Sequence, residues 1–403
     1  MYYDHLIIGG GIAGVSAAEA VRKHDPRGTI LVLGAERHPL YSRVLLPHIA
    51  DGRAKVSRAL LKTPAALAAN GIGYESGAEV QRVDARGKKV TLADGSVIGY
   101  EKLLIASGSH ARRFPGPGGE HCMNFRTLDD LDAFESAVGT GNVVVYGGGF
   151  NAIDLAASFV RRGSRVTAVI RGDGYLSRVM DRSSRDAIRA VLSSHGIDVR
   201  THVDLVAVEK KGTGLLAYLS DKSTIDCGAV GTSLGIEPNV GFLDGSGIPV
   251  GHGVLTDERL MATPDVFAAG DVAEYFDVHL GDRRIAGNWQ NAMFQGKTAG
   301  ENMAGGVVAF DMVTSYSIPC FELPVSVIGA VGIADGERIA RNVAGAGTVQ
   351  LVMKDARVVG ATCVGPFGDR AAVTKFIADD VSFTPSMMKA AGDPTVPLAS
   401  LIP

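Results

Sequence analysis

Glycines recur at a fixed spacing after a short apolar run near the start of this sequence. Gly9, Gly11 and Gly14 follow residues 6–8 (Leu-Ile-Ile) and precede an alanine-rich, helical stretch at 15–22. In a strand, glycine turn and helix of this kind, the first glycine permits a tight turn and the second lets the backbone approach a pyrophosphate. The third lets the helix pack closely on the strand, and the helix N-terminus directs its N–H groups at the phosphates. The pattern therefore predicts a dinucleotide site.

An acidic residue follows the next predicted strand of this first unit. Residues 29–33 predict that strand, and Glu36 comes about twenty residues after the last glycine, where a carboxylate would bind the hydroxyl pair of a ribose. The residue at the strand's end is Gly34, so Glu36 stands two positions late. Ribose binding is our interpretation, and a surface carboxylate is the alternative.

The same arrangement returns further along the chain. Residues 142–146 form an apolar run, Gly147 and Gly149 follow it with Ala152 in the place of the third glycine, and 153–161 predicts a helix. Two complete turns are much more specific than either turn alone. The sequence therefore predicts two bound dinucleotides, or one dinucleotide and a flavin.

A cation stands where the second unit would carry its acidic residue. The predicted strand 165–170 ends at Ile170 and is followed by Arg171, with Arg178 close behind. Loss of the carboxylate and gain of a guanidinium favours NADPH, because arginine can bind a 2′-phosphate with two hydrogen bonds. An arginine simply solvated at the start of a loop is the alternative.

Two further segments complete a family pattern. Residues 103–109 contain Ala106-Ser107-Gly108, and residues 263–272 contain Gly270-Asp271. With the two turns, they resemble the two-dinucleotide-domain flavoproteins of the pyridine nucleotide–disulfide oxidoreductase superfamily, in particular the ferredoxin, rubredoxin and nitrite reductase-type NAD(P)H:acceptor reductases. The resemblance implies an α/β fold with two Rossmann-like domains, for FAD and NAD(P)H, plus a small C-terminal α+β domain.

The resemblance also implies roles for individual residues. The first glycine turn would hold FAD, Ala106-Ser107-Gly108 would let the chain cross between domains, and Asp271 would bind the ribityl chain, with the helix after it pointing at the flavin. Trp289, in the segment 289–296, would lie beside the isoalloxazine and nicotinamide, with core packing as the alternative. The predicted cofactor-binding set is completed by Arg43, Gly235 and Gly270.

Linkers rich in proline and glycine at 114–119 and 234–239 suggest where the chain changes domain. We expect residues 1–110 and 235–306 to form a discontinuous FAD domain, 111–234 the NAD(P)H domain, and 307–403 a C-terminal interface domain. The last segment predicts strands at 348–353 and 357–364. Its pattern is shorter than a thiol-reductase dimerisation domain, so a homodimer and a hetero-complex both stay open.

A candidate catalytic pair follows from the stretch 41–48, Tyr-Ser-Arg-Val-Leu-Leu-Pro-His. It resembles the Tyr-Asp-Arg-Pro-Pro-Leu-Ser-Lys of the ferredoxin reductase branch and puts His48 in place of a lysine near flavin N5. Asp154 matches the glutamate that would face it. A cation beside N5 would stabilise negative charge as hydride arrives. A capping or core histidine, and a carboxylate packed at the domain crossing, are the alternatives.

The composition excludes several classes of protein. The chain has 403 residues with 40 basic and 43 acidic side chains, so it offers no broad basic surface for nucleic acid. Its four cysteines are far apart, which excludes a zinc set and an exported disulfide framework, and we predict no metal. Val44 stands where single-cysteine relatives carry their redox thiol. No apolar run is long enough to span a membrane, and a cytoplasmic location is expected.

These observations favour an enzyme that passes electrons from NAD(P)H through FAD to a separate iron–sulfur protein, rubredoxin or partner subunit of a redox enzyme. The acceptor must be separate because the chain has no cysteine set for an iron–sulfur cluster. An NAD(P)H oxidase reducing oxygen is one alternative. A non-catalytic, flavin-bearing structural subunit is another.

Overall fold

The computed structural model describes residues 1–333, 336–343, 347–366 and 368–403. The chain folds into two compact units. Unit 1 comprises Met1–Val44, Lys55–His110 and Ile236–Met312, and unit 2 comprises Leu45–Ala54, Ala111–Gly235 and Val313–Pro403. Each unit therefore contains one of the two glycine turns, as the predicted pair of dinucleotide domains requires.

Strands make up most of the regular structure in the described residues. In chain order they are β1 Tyr2–Ile8, β2 Ile30–Gly34, β3 Ile72–Ser76, β4 Val80–Asp84, β5 Lys89–Leu92, β6 Val97–Ile105, β7 Ser109–Ala111, β8 Cys122–Met123, β9 Asn142–Tyr146, β10 Arg165–Ile170, β11 Ile197–Thr201, β12 Leu205–Lys211, β13 Gly214–Leu219, β14 Thr224–Cys227, β15 Ala229–Thr232, β16 Ile236–Pro238, β17 Val254–Leu255, β18 Met261–Thr263, β19 Val266–Ala268, β20 Ala273–Asp277, β21 Asp282–Arg284, β22 Ser315–Cys320, β23 Leu323–Gly329, β24 Glu337–Val343, β25 Gly347–Lys354 and β26 Arg357–Val364.

Helices connect these strands. They are α1 Ile12–His24, α2 Leu46–Ala50, α3 Val56–Ala59, α4 Pro64–Ala68, α5 Asp130–Ala137, α6 Phe150–Arg161, α7 Arg182–Ser194, α8 Trp289–Met303, α9 Arg370–Ala378 and α10 Pro385–Gly392. Short 3₁₀ helices occur at Arg43–Leu45, Gly119–His121, Gly241–Leu243 and Leu398–Leu401.

The main sheet of unit 1 has the strand order β18-β19-β6-β1-β2-β3, with the β4–β5 hairpin added beside β6. β1 lies between β2 and β6 and is parallel to both. Ile7 points into one apolar cluster with residues of α1 and α8, whereas Leu6 and Ile8 point into a second cluster on the other face. Because both faces are covered, the strand is a continuous apolar run rather than an alternating one.

Helices α1 and α8 pack together through small residues. A Cβ on Gly296 would lie 2.1 Å from the carbonyl oxygen of Ala13, and one on Gly300 would lie 2.4 Å from that of Ala17. The two backbones are therefore in direct contact. This contact sets the position of α8 against the helix that follows the first glycine turn.

The central sheet of unit 2 is parallel, with the order β11-β10-β9-β15-β8. Val143 and Val145 of β9 face the cluster that contains α5, α6 and α7 residues, and Val144 and Tyr146 face the cluster built on the β12–β14 sheet. The strand bounds predicted at 142–146 and 165–170 match β9 and β10. The predicted α/β fold class with two Rossmann-like units is confirmed.

The C-terminal part of the chain forms the antiparallel sheet β22-β23-β26-β25-β24 with α9 and α10. Cys320 and Val325 of this sheet share an apolar cluster with Phe159 of α6, and Phe150 packs edge-on against Tyr316 with ring centres 4.8 Å apart. Residues 313–403 thus share one apolar cluster with the 111–235 region and have a second cluster of their own around Phe376, and the predicted C-terminal domain stays a prediction.

Two shorter segments, 45–54 and 307–312, lie in compact units to which the predicted domain bounds do not assign them. Leu45–Ala54 belongs to unit 2. Within unit 2, Ala50 is fully buried and its carbonyl accepts a hydrogen bond from Arg162 at 2.6 Å. Residues 307–312 belong to unit 1, where Phe310 packs edge-on against Tyr275. Both assignments come from contacts with residues far away in sequence, which a local pattern does not report.

The α1–α8 contact predicts a large effect of a single methyl group. We expect Gly296→Ala to lower the free energy of unfolding by about 1–3 kcal/mol, because the new Cβ would force two backbones apart. Gly241→Ala is the matched control in the same unit, since a Cβ there meets no atom within 4 Å. Urea unfolding of both variants tests this, and equal stabilities would contradict it.

Candidate functional site

The first glycine turn is built so that only glycine fits at its start. Gly9 has φ +125°, and a Cβ there would lie 2.0 Å from the carbonyl oxygen of Ala106. Ala106 in turn donates its N–H to Ile8 at 2.7 Å, which holds the ends of β1 and β6 together. A Cβ on Gly14 would lie 1.9 Å from the carbonyl oxygen of Gly9, so α1 can pack on the strand only at this glycine. These are the roles expected for the first and third glycines.

The second glycine of the turn faces open space. Gly11 is the N-cap of α1, and a Cβ on it would meet no atom within 4 Å. The first turn of α1 contains no acidic residue. The N-terminal N–H groups of a helix attract anions, so this end of α1 fits a pyrophosphate. The parallel strands β1, β2, β6 and β19 all end at this edge of the sheet, as in other nucleotide-binding sheets.

Glu36 lies in a small polar cluster just beyond β2. Tyr41 donates its hydroxyl to one carboxylate oxygen of Glu36 at 2.7 Å, and Arg43 hydrogen-bonds the other oxygen. Burial would lower the pKa of the Arg43 guanidinium, but the charges of Glu36, Tyr41 and Asp271 raise it overall. An ionised carboxylate has lone pairs for about four hydrogen bonds, so Glu36 can still accept from ribose hydroxyls. Its ribose role stays a prediction.

Asp271 lies in the turn after β19, and two side chains hold this Gly270–Asp271 turn. Ser109 donates its hydroxyl to Asp271 Oδ2 at 2.8 Å. Gly270, with φ +85°, donates its N–H at 2.7 Å to Oε1 of Gln295, which is fully buried on α8. Among the described residues no acceptor faces Nε2 of Gln295, a buried donor. A polar cofactor beside this turn would fit that orphaned group.

The segment 106–108, predicted to cross between domains, and Trp289 both lie in unit 1. Ser107 and Asn239 exchange two hydrogen bonds, of 2.8 and 2.9 Å, and Gly108 has φ +66° with no atom near its Cβ position. Trp289 is the first residue of α8, which is the next helix after Asp271, and its ring packs against the apolar cluster of unit 1. A cofactor contact for Trp289 therefore stays a prediction.

The second glycine turn, in unit 2, repeats the construction of the first. Gly147 has φ +146°, and a Cβ there would lie 2.3 Å from the carbonyl oxygen of Ser233. Gly149 is the N-cap of α6 and faces open space. Ala152, in the place of the third glycine, is fully buried, so this turn accommodates one methyl group. Gly235, in the predicted linker 234–239, has φ +96°.

A cleft of about 340 Å³ opens beside the carboxyl end of β10. Arg171 donates Nε to Asp204 Oδ1 at 2.7 Å and a second N–H to the hydroxyl of Tyr146 at 3.1 Å. Tyr146 in turn donates to the same Asp204 oxygen at 2.7 Å. Burial would raise the pKa of Asp204, but hydrogen bonds from Arg171 and Tyr146 lower it overall. Arg178 lies outside the cleft lining.

The predicted catalytic residues both belong to unit 2, on neighbouring helices. His48 lies in α2 and Asp154 in α6, and Ser158 of α6 donates its hydroxyl to the carbonyl of Pro47 at 3.4 Å. Burial raises the pKa of the Asp154 carboxyl to about 6, while the charges of nearby arginines lower it and that of Asp51 raises it. The structure therefore brings the two helices together, and the pairing of the side chains stays a prediction.

The thiols show no sign of redox activation. Burial raises the pKa values of all four, to about 11 for Cys227 and to about 12 for Cys122, Cys320 and Cys363. In the described ranges, no group of three or more His, Cys, Asp or Glu side chains is arranged to hold a metal ion. Across the same ranges, the helices are too short or too polar to cross a bilayer.

Several residues at these sites were missed by the sequence analysis. Ser109 and Gln295 lie inside the segments 103–109 and 289–296 of the family pattern, which is the signal that could have found them. Tyr41 lies in the stretch that contains Arg43. Asp204 had no signal, because it reaches Arg171 from the loop after β11, 33 positions away.

Comparisons with known proteins agree with this geometry. The family model for pyridine nucleotide-disulphide oxidoreductases matches residues 3–296. The epsilon subunit of an NADH-dependent phenylglyoxylate dehydrogenase from Aromatoleum evansii is 29% identical over 306 residues, 75% of this chain and 72% of the relative. A probable ferredoxin reductase from Castellaniella defragrans is 30% identical over 363 residues, 88% of each chain. A solved ferredoxin reductase from Rhodopseudomonas palustris has a TM-score of 0.90 at 23% identity, covering 98% of this chain and 99% of that one, which shows a shared fold.

The raised pKa of Asp154 predicts a specific pH dependence of stability. The folded carboxyl keeps its proton up to pH about 6, whereas the unfolded one loses it near pH ~4, so this group destabilises the fold as pH rises through that interval. We expect Asp154→Asn to be more stable than the parent by about 1–3 kcal/mol at pH 7 and equally stable at pH ~4. Urea unfolding at both pH values tests this. A constant difference between the two proteins would contradict it.

Gln295 gives a second test. Gln295→Leu keeps the volume of the side chain but removes the acceptor for the Gly270 N–H, which would leave a buried donor unpaired. We expect the purified variant to retain less FAD than the parent, because the Gly270–Asp271 turn loses its support. Absorbance of bound flavin after gel filtration measures this, and Gln295→Glu, which keeps the acceptor, should retain more than the leucine variant.

Proposed function

Because the chain belongs to the pyridine nucleotide-disulphide oxidoreductases, and to their ferredoxin reductase branch, we propose that it takes electrons from NADH and delivers them through FAD to a separate iron–sulfur protein. Family membership confirms the predicted superfamily and the predicted cofactors FAD and NAD(P)H. It also confirms the prediction of an oxidoreductase.

One observation carries the proposal. In each unit a parallel strand is followed by a glycine that lies against a neighbouring carbonyl oxygen. A second glycine, which faces open space, is the N-cap of the helix that follows. Two equivalent phosphate-binding helix ends in one chain suit a protein that binds two dinucleotides. A protein that used only one cofactor would have no need for the second.

The residues of unit 1 are proposed to hold FAD, which when bound accepts an electron pair and can release electrons one at a time. Gly9, Gly11 and Gly14 shape the phosphate end, and Glu36 offers its carboxylate to the ribose. Asp271, fixed by Ser109, offers a carboxylate to the ribityl chain. Gly147, Gly149 and Ala152 of unit 2 would accept the pyrophosphate of the pyridine nucleotide in the same way.

The acceptor is proposed to be a separate protein. This chain has four cysteines, all free and each with a raised thiol pKa, which is the opposite of a thiolate cluster ligand. The names of the two reported relatives point to a ferredoxin in one case and to the other subunits of a dehydrogenase in the other. Either partner would be a one-electron carrier docked transiently or held in a complex.

The proposal also covers the role of the C-terminal segment and the location of the protein. Residues 313–403 are proposed to carry the contacts with a second copy or a partner subunit, as an interface segment. Four reduced thiols fit a cytoplasmic location.

An oxidase that delivers electrons to oxygen, and a non-catalytic flavin subunit, are the competing functions.

His48 and Asp154 are proposed to assist the reduction of FAD. We expect His48→Ala to slow the reduction of bound flavin by NADH by about tenfold or more while FAD stays bound, because a cation that stabilises developing negative charge is lost. Stopped-flow absorbance measures the rate. His252→Ala, at an exposed position in the loop before β17, is the control. A rate like that of the control would remove His48 from the mechanism.

An anaerobic titration of the purified yellow protein with NADH tests the main proposal. We expect the flavin absorbance to bleach and to return rapidly when an oxidised ferredoxin or a one-electron dye is added, but slowly in air. Rapid return in air alone would favour the oxidase. Failure of both NADH and NADPH to bleach bound FAD would favour the non-catalytic subunit.

A further inference from the structure

We propose that Asp204 makes this protein select NADH over NADPH, by neutralising Arg171 at the adenosine end of the pyridine nucleotide site. The inference rests on the proposed function, because it assigns the nucleotide to the second glycine turn. It reverses the preference for NADPH that Arg171 alone indicates.

The position of the three polar groups supports an adenosine subsite. Tyr146 is the last residue of β9, Arg171 follows the last residue of β10, and Asp204 follows β11 in the loop before β12. These parallel strands end at one edge of the sheet, beside the glycine turn at Gly147 and Gly149. In nucleotide-binding folds the end of the second strand is where the adenosine ribose is recognised.

The lining of the cleft fits a flat, mostly apolar group with hydroxyls at one side. Most of the lining residues are apolar, and the three polar side chains are hydrogen-bonded to one another and so lie together. A nucleoside has the same division, with an apolar base face and a polar sugar. The residues that line the cleft with the three polar groups are Phe114, Pro115, Gly116, Leu205, Val206 and Leu234.

The hydrogen-bonding groups that Arg171 and Asp204 leave available favour ribose hydroxyls over a 2′-phosphate. Arg171 has five N–H donors, of which one on Nε and one on a terminal nitrogen are used by Asp204 and Tyr146. Its remaining donors and the second oxygen of Asp204 can bind the two hydroxyls of a ribose. A 2′-phosphate carries about two negative charges. It would lie next to the carboxylate of Asp204, and the Arg171–Asp204 pair has no net positive charge to balance it.

Charge repulsion from Asp204 is the physical cause of the selection. The side chain of Arg171 is 72% exposed and that of Asp204 is 40% exposed, so a ligand can reach both. Solvent weakens but does not remove the repulsion between two anions a few ångströms apart. Arg171 stands directly after β10, and Asp173, the next acid, is paired with Arg185 outside the cleft lining. The acid in the cleft is thus supplied from the end of the neighbouring strand.

The test uses the FAD-loaded protein and measures kcat/KM for NADH and for NADPH with a one-electron dye as acceptor. The parent should favour NADH. We expect Asp204→Asn, which keeps the shape of the side chain, to lower the ratio of NADH to NADPH kcat/KM by about tenfold or more. The change should appear mainly in KM for NADPH. Adding Arg171→Ala to that variant should remove the gain for NADPH, because the freed guanidinium is the group that binds the phosphate.

Equilibrium binding gives a readout that needs no electron transfer. Calorimetry with adenosine 5′-monophosphate and with adenosine 2′,5′-bisphosphate should show that Asp204→Asn strengthens binding of the second probe relative to the first. Asp198→Asn is the matched control, since Asp198 forms an ion pair with Arg200 on β11 outside the cleft lining. The Asp198→Asn control should leave two ratios as in the parent: the ratio of NADH to NADPH kcat/KM, and the ratio of the affinities for the two adenosine probes.

The outcomes separate this inference from the proposed function. If NADH bleaches the flavin but Asp204→Asn leaves both ratios unchanged, the role of Asp204 is wrong and the function stands. A parent protein that favours NADPH overturns the inference in the same way. If neither nucleotide reduces the flavin, the proposed function fails, and the calorimetric comparison still tests whether Asp204 excludes a 2′-phosphate.

Discussion

A glycine packed against a carbonyl oxygen is the contact on which both cofactor sites depend. Gly9 lies against Ala106 and Gly147 against Ser233, so close that any side chain would displace the neighbouring strand. Because these turns are so tight, a helix begins within a few residues of the strand's end. The helix N-terminus then remains at the edge of the sheet, where its N–H groups can meet phosphate oxygens.

Further close contacts extend this constraint through unit 1. Gly296 and Gly300 let α8 lie directly on α1, and from that position Gln295 accepts the N–H of Gly270. The turn at Gly270–Asp271 is therefore coupled by packing to the helix that follows the first glycine turn. Glycine content in this chain reflects such approaches between backbones as well as ordinary turns.

Electrostatics distinguishes the two units more than their folds do. In unit 1, Arg43 and Glu36 form a partly exposed pair just beyond β2, and the charge of Asp271 acts on Arg43. In unit 2 the corresponding strand end carries an exposed Arg171, balanced by an acid from another loop. The same backbone construction can thus present different charges to two dinucleotides, since the charges come from loops and the construction from strands.

The sequence alone determined the elements around each turn and the presence of two nucleotide sites, because these depend on glycine spacing and apolar runs within about thirty residues. The fold class and the cofactors FAD and NAD(P)H followed from the resemblance of the sequence to a known family. Only the tertiary structure decided that 45–54 and 313–403 join unit 2, and that Asp204 balances Arg171. These outcomes depend on contacts between residues far apart in the chain. Local patterns report periodicity and turn chemistry, but packing decides which distant side chains meet.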